Sequence, residues 1–143
     1  MNAGRFAGKR VALYARYSSH LQSCASIEDQ VHRCKQFIET HGGQVSPELV
    51  FTDQAISGAS IARPGFEALM QAVVDHRVAV IVTEDMSRIS RDFADAAQIF
   101  KRLDYLRVPL IGVGDGIDTG MKMGRMVYQF ASMRNGLYRE DLR

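Results

Sequence analysis

Tryptophan is absent, and only two cysteines, Cys24 and Cys34, occur among 143 residues. They stand in no CxxC spacing and are too few for a disulfide framework, so reduced thiols are expected. No apolar run approaches the roughly 20 residues that a bilayer span needs. The N-terminus also lacks the apolar stretch and small-residue cleavage site of a secretory signal. Together these absences predict an intracellular chain with no membrane partner. An excess of one charge is missing too: 18 Lys and Arg against 16 Asp and Glu leave +2, which diagnoses no partner by itself. There is no Gly-x-x-x-x-Gly-Lys-Ser/Thr loop, no Gly-x-Gly-x-x-Gly turn and no Gly-x-Ser-x-Gly elbow. His20, His32, His41 and His76 are scattered, and no His/Cys/Asp group has metal-ligand spacing. Cofactor-dependent chemistry therefore loses support, and neither a cofactor nor a metal is expected.

What is present is ordinary globular composition, with 46% hydrophobic and 24% charged residues in a length suited to one core. Of the 18 cations, 14 are arginine, whose planar fork of donors suits phosphate as well as surface ion pairs. Residues 10–16 read as a first strand. Ser26, with Asp29 three positions on, resembles a capping box for a helix whose apolar face is Ile27, Val31, Cys34, Phe37 and Ile38. Gly42-Gly43 is its stop. Leu49-Val50-Phe51 suggests a second strand, and Pro64 opens a helix with Phe66, Leu69, Met70, Val73 and Val74 as its buried stripe. Val78 to Val82 is a β-branched run fit for a central strand buried on both faces. Residues 92–106 read as a helix with Phe93, Ala97, Phe100 and Leu103 inward. Val108 to Val113 supplies a fourth strand.

This alternation predicts an α/β fold: a mainly parallel central sheet with helices on both faces. Residues 1–119 form the core in this reading. Residues 120–143 begin an amphipathic C-terminal helix striped by Met123, Met126, Val127, Phe130, Met133 and Leu137. That stripe either covers its own sheet or packs against another subunit.

In parallel sheets the carboxyl ends of the strands form the usual site rim. There the sequence places Arg16 and Ser18 after strand one, Arg63 after strand two, and Arg88 and Arg91 after strand three. Several guanidinium groups around one hydroxyl suit phosphoryl transfer, because they hold nonbridging oxygens and offset charge in the transition state. The blander alternative is that Ser18 and Ser19 are loop residues and that the arginines pair with Glu84, Asp85 and Asp92.

Tyr14-Ala15-Arg16-Tyr17-Ser18-Ser19, followed by Ser26-Ile27-Glu28-Asp29-Gln30, resembles the amino-terminal signature of the serine recombinases. Asp53, Ser57-Gly58 and Arg63-Pro64-Gly65-Phe66 resemble their second motif, and Ser87-Arg88-Ile89-Ser90-Arg91-Asp92 their third. The three motifs cover most of residues 10–119, the catalytic domain of that family. The resemblance implies that Ser18 attacks a DNA phosphodiester, forming a 5′-phosphoserine bond and a free 3′ hydroxyl, and that reversal rejoins DNA without ATP or metal. By the same resemblance Arg16 and Arg88 hold the scissile phosphate, supported by Arg63 and Arg91. Tyr14, Gln22, Gln30, Asp53 and Ser87 are supporting positions: Gln22 and Gln30 orient the nucleophile loop, and Asp53 organises the arginines.

The implied partners are double-stranded DNA recombination sites and further copies of the chain, as dimer and synaptic tetramer, in the cytoplasm, for a prokaryotic or phage-encoded protein. Two departures stand out. Ser87 replaces the family's usual Asp, leaving the arginine cluster less compensated unless Glu84, Asp85 or Asp92 takes over. Tyr138-Arg139 stands where a Glu-Arg pair is familiar. The family's separate DNA-binding region is expected to lie outside this chain. Two other readings are a nuclease that does not rejoin ends and a noncatalytic DNA-associated assembly domain.

Overall fold

The computed structural model describes residues 4–16, 24–54, 63–89 and 93–121. Among these residues four strands, β1 (Val11–Arg16), β2 (Val50–Asp53), β3 (Val80–Thr83) and β4 (Leu110–Gly112), alternate with three α-helices, α1 (Cys24–Thr40), α2 (Pro64–Val74) and α3 (Phe93–Tyr105). All strand pairings are parallel, in the order β2-β1-β3-β4. The chain thus moves from β1 to one side for β2, then crosses back to the other side for β3 and β4. That reversal places the rim between the carboxyl ends of β1 and β3, where α/β sheets present their sites.

The two faces follow from side-chain alternation along β1, all six residues of which are buried. Val11, Leu13 and Ala15 pack with Ile27, Cys34 and Ile38 of α1. Ala12 and Tyr14 pack on the opposite face with Leu69, Val73, Ile99 and Leu103 of α2 and α3. Helices therefore cover both faces of the sheet, as the alternation of elements predicts.

Local details differ from the sequence reading. Helix α1 begins at Cys24, so Ser26 stands inside its first turn and is no N-cap; a capping box marks a competent start but does not stop a helix from extending backwards. Val74 is 43% exposed at the end of α2, and Ala72 takes a buried place in the stripe. Among the described side chains of α3, Phe100 and Leu103 are buried as expected, together with Ala96 and Ile99, whereas Ala97 is only half-buried; the Phe93 side chain lies outside the described residues. The inward stripe thus differs from the expected one at Ala97, whose place is taken by Ala96. Strand β4 starts after Pro109, whose carbonyl accepts from the Ile81 N–H, so proline costs the ladder no donor.

The helix ends share one device. Gly42 has φ 87°, and the Gly43 N–H returns to the Ile38 carbonyl. The same six-to-one bond closes α2 from Arg77 to Ala72, and α3 from Val108 to Leu103. There the left-handed residue is His76 or Arg107, each at φ 60°, rather than glycine. The C-terminal helix expected over 120–143 falls, beyond Met121, outside the described residues, and Gly120 and Met121 themselves are not helical.

Candidate active site

Arg16 is the last residue of β1 and is 8% exposed. Its peptide is fixed by Gln30 of α1, a fully buried side chain. The Gln30 carboxamide oxygen accepts from the Arg16 N–H at 3.2 Å, and its nitrogen donates to the Arg16 carbonyl at 3.0 Å. A buried glutamine has both a donor and an acceptor to satisfy, and the backbone N–H and C=O of one strand-end residue supply both. Ser18 follows this clamped residue by two positions in the sequence.

Beyond β3 the chain forms a 3-10 turn, Met86–Arg88. Its carbonyls are gripped by two guanidiniums. Arg16 donates from Nε to the Arg88 carbonyl at 3.0 Å and from Nη2 to the Ser87 carbonyl at 2.8 Å. Arg63 donates from Nη1 to the Ile89 carbonyl at 2.7 Å and from Nη2 to the Arg88 carbonyl at 3.1 Å. Arg88 reaches back, its Nη1 donating to the Arg16 carbonyl at 3.0 Å. Three arginines that lie far apart in sequence thus meet around a single turn, with unpaired carbonyls at the end of a short helix as their natural acceptors.

Asp53 ties this cluster to α2. One carboxylate oxygen accepts from the Gly65 N–H at 2.7 Å; the other accepts from the Phe66 N–H at 2.9 Å and from the Tyr14 hydroxyl at 2.6 Å. Arg63, the residue at the cap position, makes no side-chain cap bond, and Asp53 at the end of β2 caps the helix from across the structure. The Tyr14 hydroxyl accepts from Arg63 Nη2 at 3.1 Å while donating to Asp53. Asp53 therefore acts on the arginines through Tyr14. Burial, and then the hydrogen bond to Asp53, raise the Tyr14 ionisation well above the ordinary tyrosine range, so the hydroxyl stays a donor. The Arg63 guanidinium also lies over the Phe66 ring, 4.3 Å from its centroid. Gly65 is required here: a Cβ would collide with the Thr52 carbonyl oxygen.

The turn has its own supports. Asp85 accepts from both the backbone N–H and the hydroxyl of Ser87. Asp115, in the loop after β4, accepts from the Met86 N–H at 2.9 Å, and a Cβ at Gly112 would collide with that carboxylate. Glu84 bonds Arg33 of α1 at 2.5 Å and lies 3.7 Å from Arg88 Nη2.

Of the residues singled out in the sequence, the structure brings together Arg16, Arg63, Arg88, Tyr14, Gln30, Asp53 and Ser87. Ser18, Gln22 and Arg91, with Ser57 and Gly58, lie outside the described residues. Arg33 and Asp115 were not anticipated. The glycine-rich run Gly112-Val113-Gly114-Asp115-Gly116 was the signal for Asp115; nothing local marks Arg33. Among the described residues no group of three or more His, Cys, Asp or Glu is placed to hold a metal ion.

Residues 11–143 match the family model described as the resolvase N-terminal domain. The transposon Tn3 resolvase of Escherichia coli is 33% identical over 123 residues, which are 86% of this chain and 60% of that protein. This chain therefore spans about three fifths of the length of that curated relative. Among solved structures, the N-terminal catalytic domain of TP901-1 integrase superposes with TM-score 0.74 at 25% identity, covering 94% of this chain and all of that one. A resolvase family site-specific recombinase from Streptococcus pneumoniae gives TM-score 0.74 at 28% identity, covering 94% of this chain and 91% of that one.

Proposed function

This chain belongs to the resolvase family of serine recombinases, and we propose that it cleaves and rejoins DNA in site-specific recombination. The observation that carries the reading is the meeting of Arg16, Arg63 and Arg88 at the carboxyl ends of β1 and β3, with Arg16 two residues before Ser18.

In this reading the Ser18 hydroxyl oxygen attacks the phosphorus of a DNA phosphodiester. The bond from phosphorus to the 3′ oxygen breaks as the bond to serine forms. The serine proton is released, and the departing 3′ oxygen takes up a proton to become a hydroxyl. Phosphoryl transfer potential is kept in the 5′-phosphoserine, so a 3′ hydroxyl of another end can reverse the step with no cofactor. Arg16 and Arg88 bind the nonbridging oxygens, and Arg91 and Arg63 support them. Arg88 and Arg63 each keep a buried Nε without a hydrogen-bond partner, so both retain a donor for a phosphate oxygen. Arg63, held between Phe66 and Tyr14, acts from behind. Gln30 sets the point from which the Ser18 loop departs, Gln22 orients that loop, and Tyr14, Asp53 and Ser87 maintain the arginine cluster.

The partners are double-stranded recombination sites and other copies of this chain, as dimer and synaptic tetramer. Residues 120–143 start the helix that joins subunits, and the protein, prokaryotic or phage-encoded, acts on DNA in the cytoplasm. Nicked suicide DNA sites test the chemistry. The wild-type protein should yield a covalent protein–DNA adduct that disappears in Ser18→Ala. Cleaved DNA released without an adduct would favour the nuclease reading instead.

A further inference from the structure

Three guanidiniums around one turn repel one another, and their compensating charge has to come from nearby carboxylates. Ser87 supplies none. Asp85 is engaged with the N–H and hydroxyl of Ser87, Asp53 with the N-terminus of α2 and Tyr14, and Asp115 with the turn's own backbone. Glu84 is the carboxylate paired with Arg88 among the described residues.

That pair has an unusual form. Glu84 Oε1 is bound by Arg33 at 2.5 Å, so the carboxylate is anchored to α1. Its Oε2 stands 3.7 Å from Arg88 Nη2, and both Glu84 Oε2 and Arg88 Nε are buried without a hydrogen-bond partner. The side chains are only 19% and 15% exposed, so water screens the attraction weakly. The two groups are close enough to attract and too far apart to satisfy each other. A DNA phosphate, which can offer two oxygens to one guanidinium, would make the charge-assisted hydrogen bonds that Glu84 leaves unmade.

We propose that Glu84, anchored by Arg33, is a displaceable counter-ion that holds Arg88 in place until a DNA phosphate takes it over. It is a positioning residue, acting through Arg88. The inference rests on the recombinase reading for the identity of the anion, but its test involves no cleavage. A chain that never forms a Ser18 adduct can still pass or fail it.

The test is a double-mutant cycle of Glu84→Gln and Arg88→Ala. The probe is a fluorescent duplex of about 30 base pairs and arbitrary sequence, at fixed low salt, read by anisotropy. Removing one negative charge raises affinity for DNA a little in any background. Release of Arg88 should raise it further, so Glu84→Gln binds about fivefold tighter when Arg88 is present and less than about twofold tighter when it is alanine. Equal gains in both backgrounds would reduce the effect to bulk charge and overturn the proposal, as would no gain or no binding by either chain. If Glu84→Gln does not fold, Glu84→Ala is judged by the same comparison. Failure of both to fold would make Glu84 a structural group and equally overturn the proposal.

Discussion

Replacing Asp53 by Asn keeps the shape of the side chain and removes what the structure uses it for. The carboxylate is 6% exposed and accepts three hydrogen bonds, from the Gly65 N–H, the Phe66 N–H and the Tyr14 hydroxyl. An amide accepts at one atom only. With its oxygen turned to Phe66 and Tyr14, its NH2 faces the Gly65 N–H, and two donors confront each other in a buried place. The lost bond to a charged acceptor costs about 1.5–3 kcal/mol. Losing the negative charge at the N-terminus of α2 adds about 0.3–1 kcal/mol. The sum is about 2–4 kcal/mol, equivalent to a fall in Tm of roughly 6–14 °C for a chain of this size. Urea unfolding followed by far-UV circular dichroism measures it, with the slope m unchanged. Tyr14→Phe should cost less, about 1 kcal/mol, since the backbone donors to Asp53 remain. The double variant should cost less than the sum of the two, because Asp53→Asn already leaves the Tyr14 hydroxyl with only a neutral acceptor, a weaker bond for Tyr14→Phe to remove. A loss below about 0.5 kcal/mol for Asp53→Asn, or strict additivity with Tyr14→Phe, would refute the assignment of Asp53 as the cap that couples α2 to the arginine cluster.

Gln30→Leu should destabilise by about 2 kcal/mol or more in the same unfolding assay, because it leaves the buried Arg16 N–H without its partner. It should also depress adduct formation beyond any loss of folded protein, as the strand end before Ser18 loosens. Burial first, and then the nearby Glu84 carboxylate, push the Cys34 thiol up to about 12 from an ordinary 9.0. Site-resolved alkylation at pH 8 should therefore spare Cys34 in the native chain and modify it on unfolding. Because the folded state holds the thiol proton more tightly, this contribution is fully present below pH 9 and is lost as pH rises from 9 towards 12, by at most about 1.4 kcal/mol per unit. The stability advantage of the wild type over Cys34→Ala should shrink across that window; a constant difference would contradict the assignment.

The architecture was legible in the sequence because burial imposes periodicity. The β-branched run ending at Val82 marks a strand covered on both faces, and Ile27, Cys34 and Ile38 mark one side of a helix. Boundaries were less legible where tertiary contacts override local preference. Ser26 satisfies the pattern of a cap yet sits inside α1, and α2 is capped by Asp53 from another strand. His76 and Arg107 terminate helices in a conformation that glycine usually signals, so no local cue announced them. The arginine cluster was readable as a set of positions on one rim, but its acceptors were not, because backbone carbonyls at 87, 88 and 89 leave no trace in residue identity. Glu84 could be named as a partner for the arginines, whereas its anchoring by Arg33 depends on how α1 lies on the sheet.

The chemistry turns on the bond between Ser18 and DNA. Wild-type protein trapped on a nicked site, digested and sequenced by tandem mass spectrometry, should carry its nucleotide remnant on the Ser18 oxygen through a 5′ phosphate. A remnant on any other residue, or one linked through a 3′ phosphate, would contradict the account.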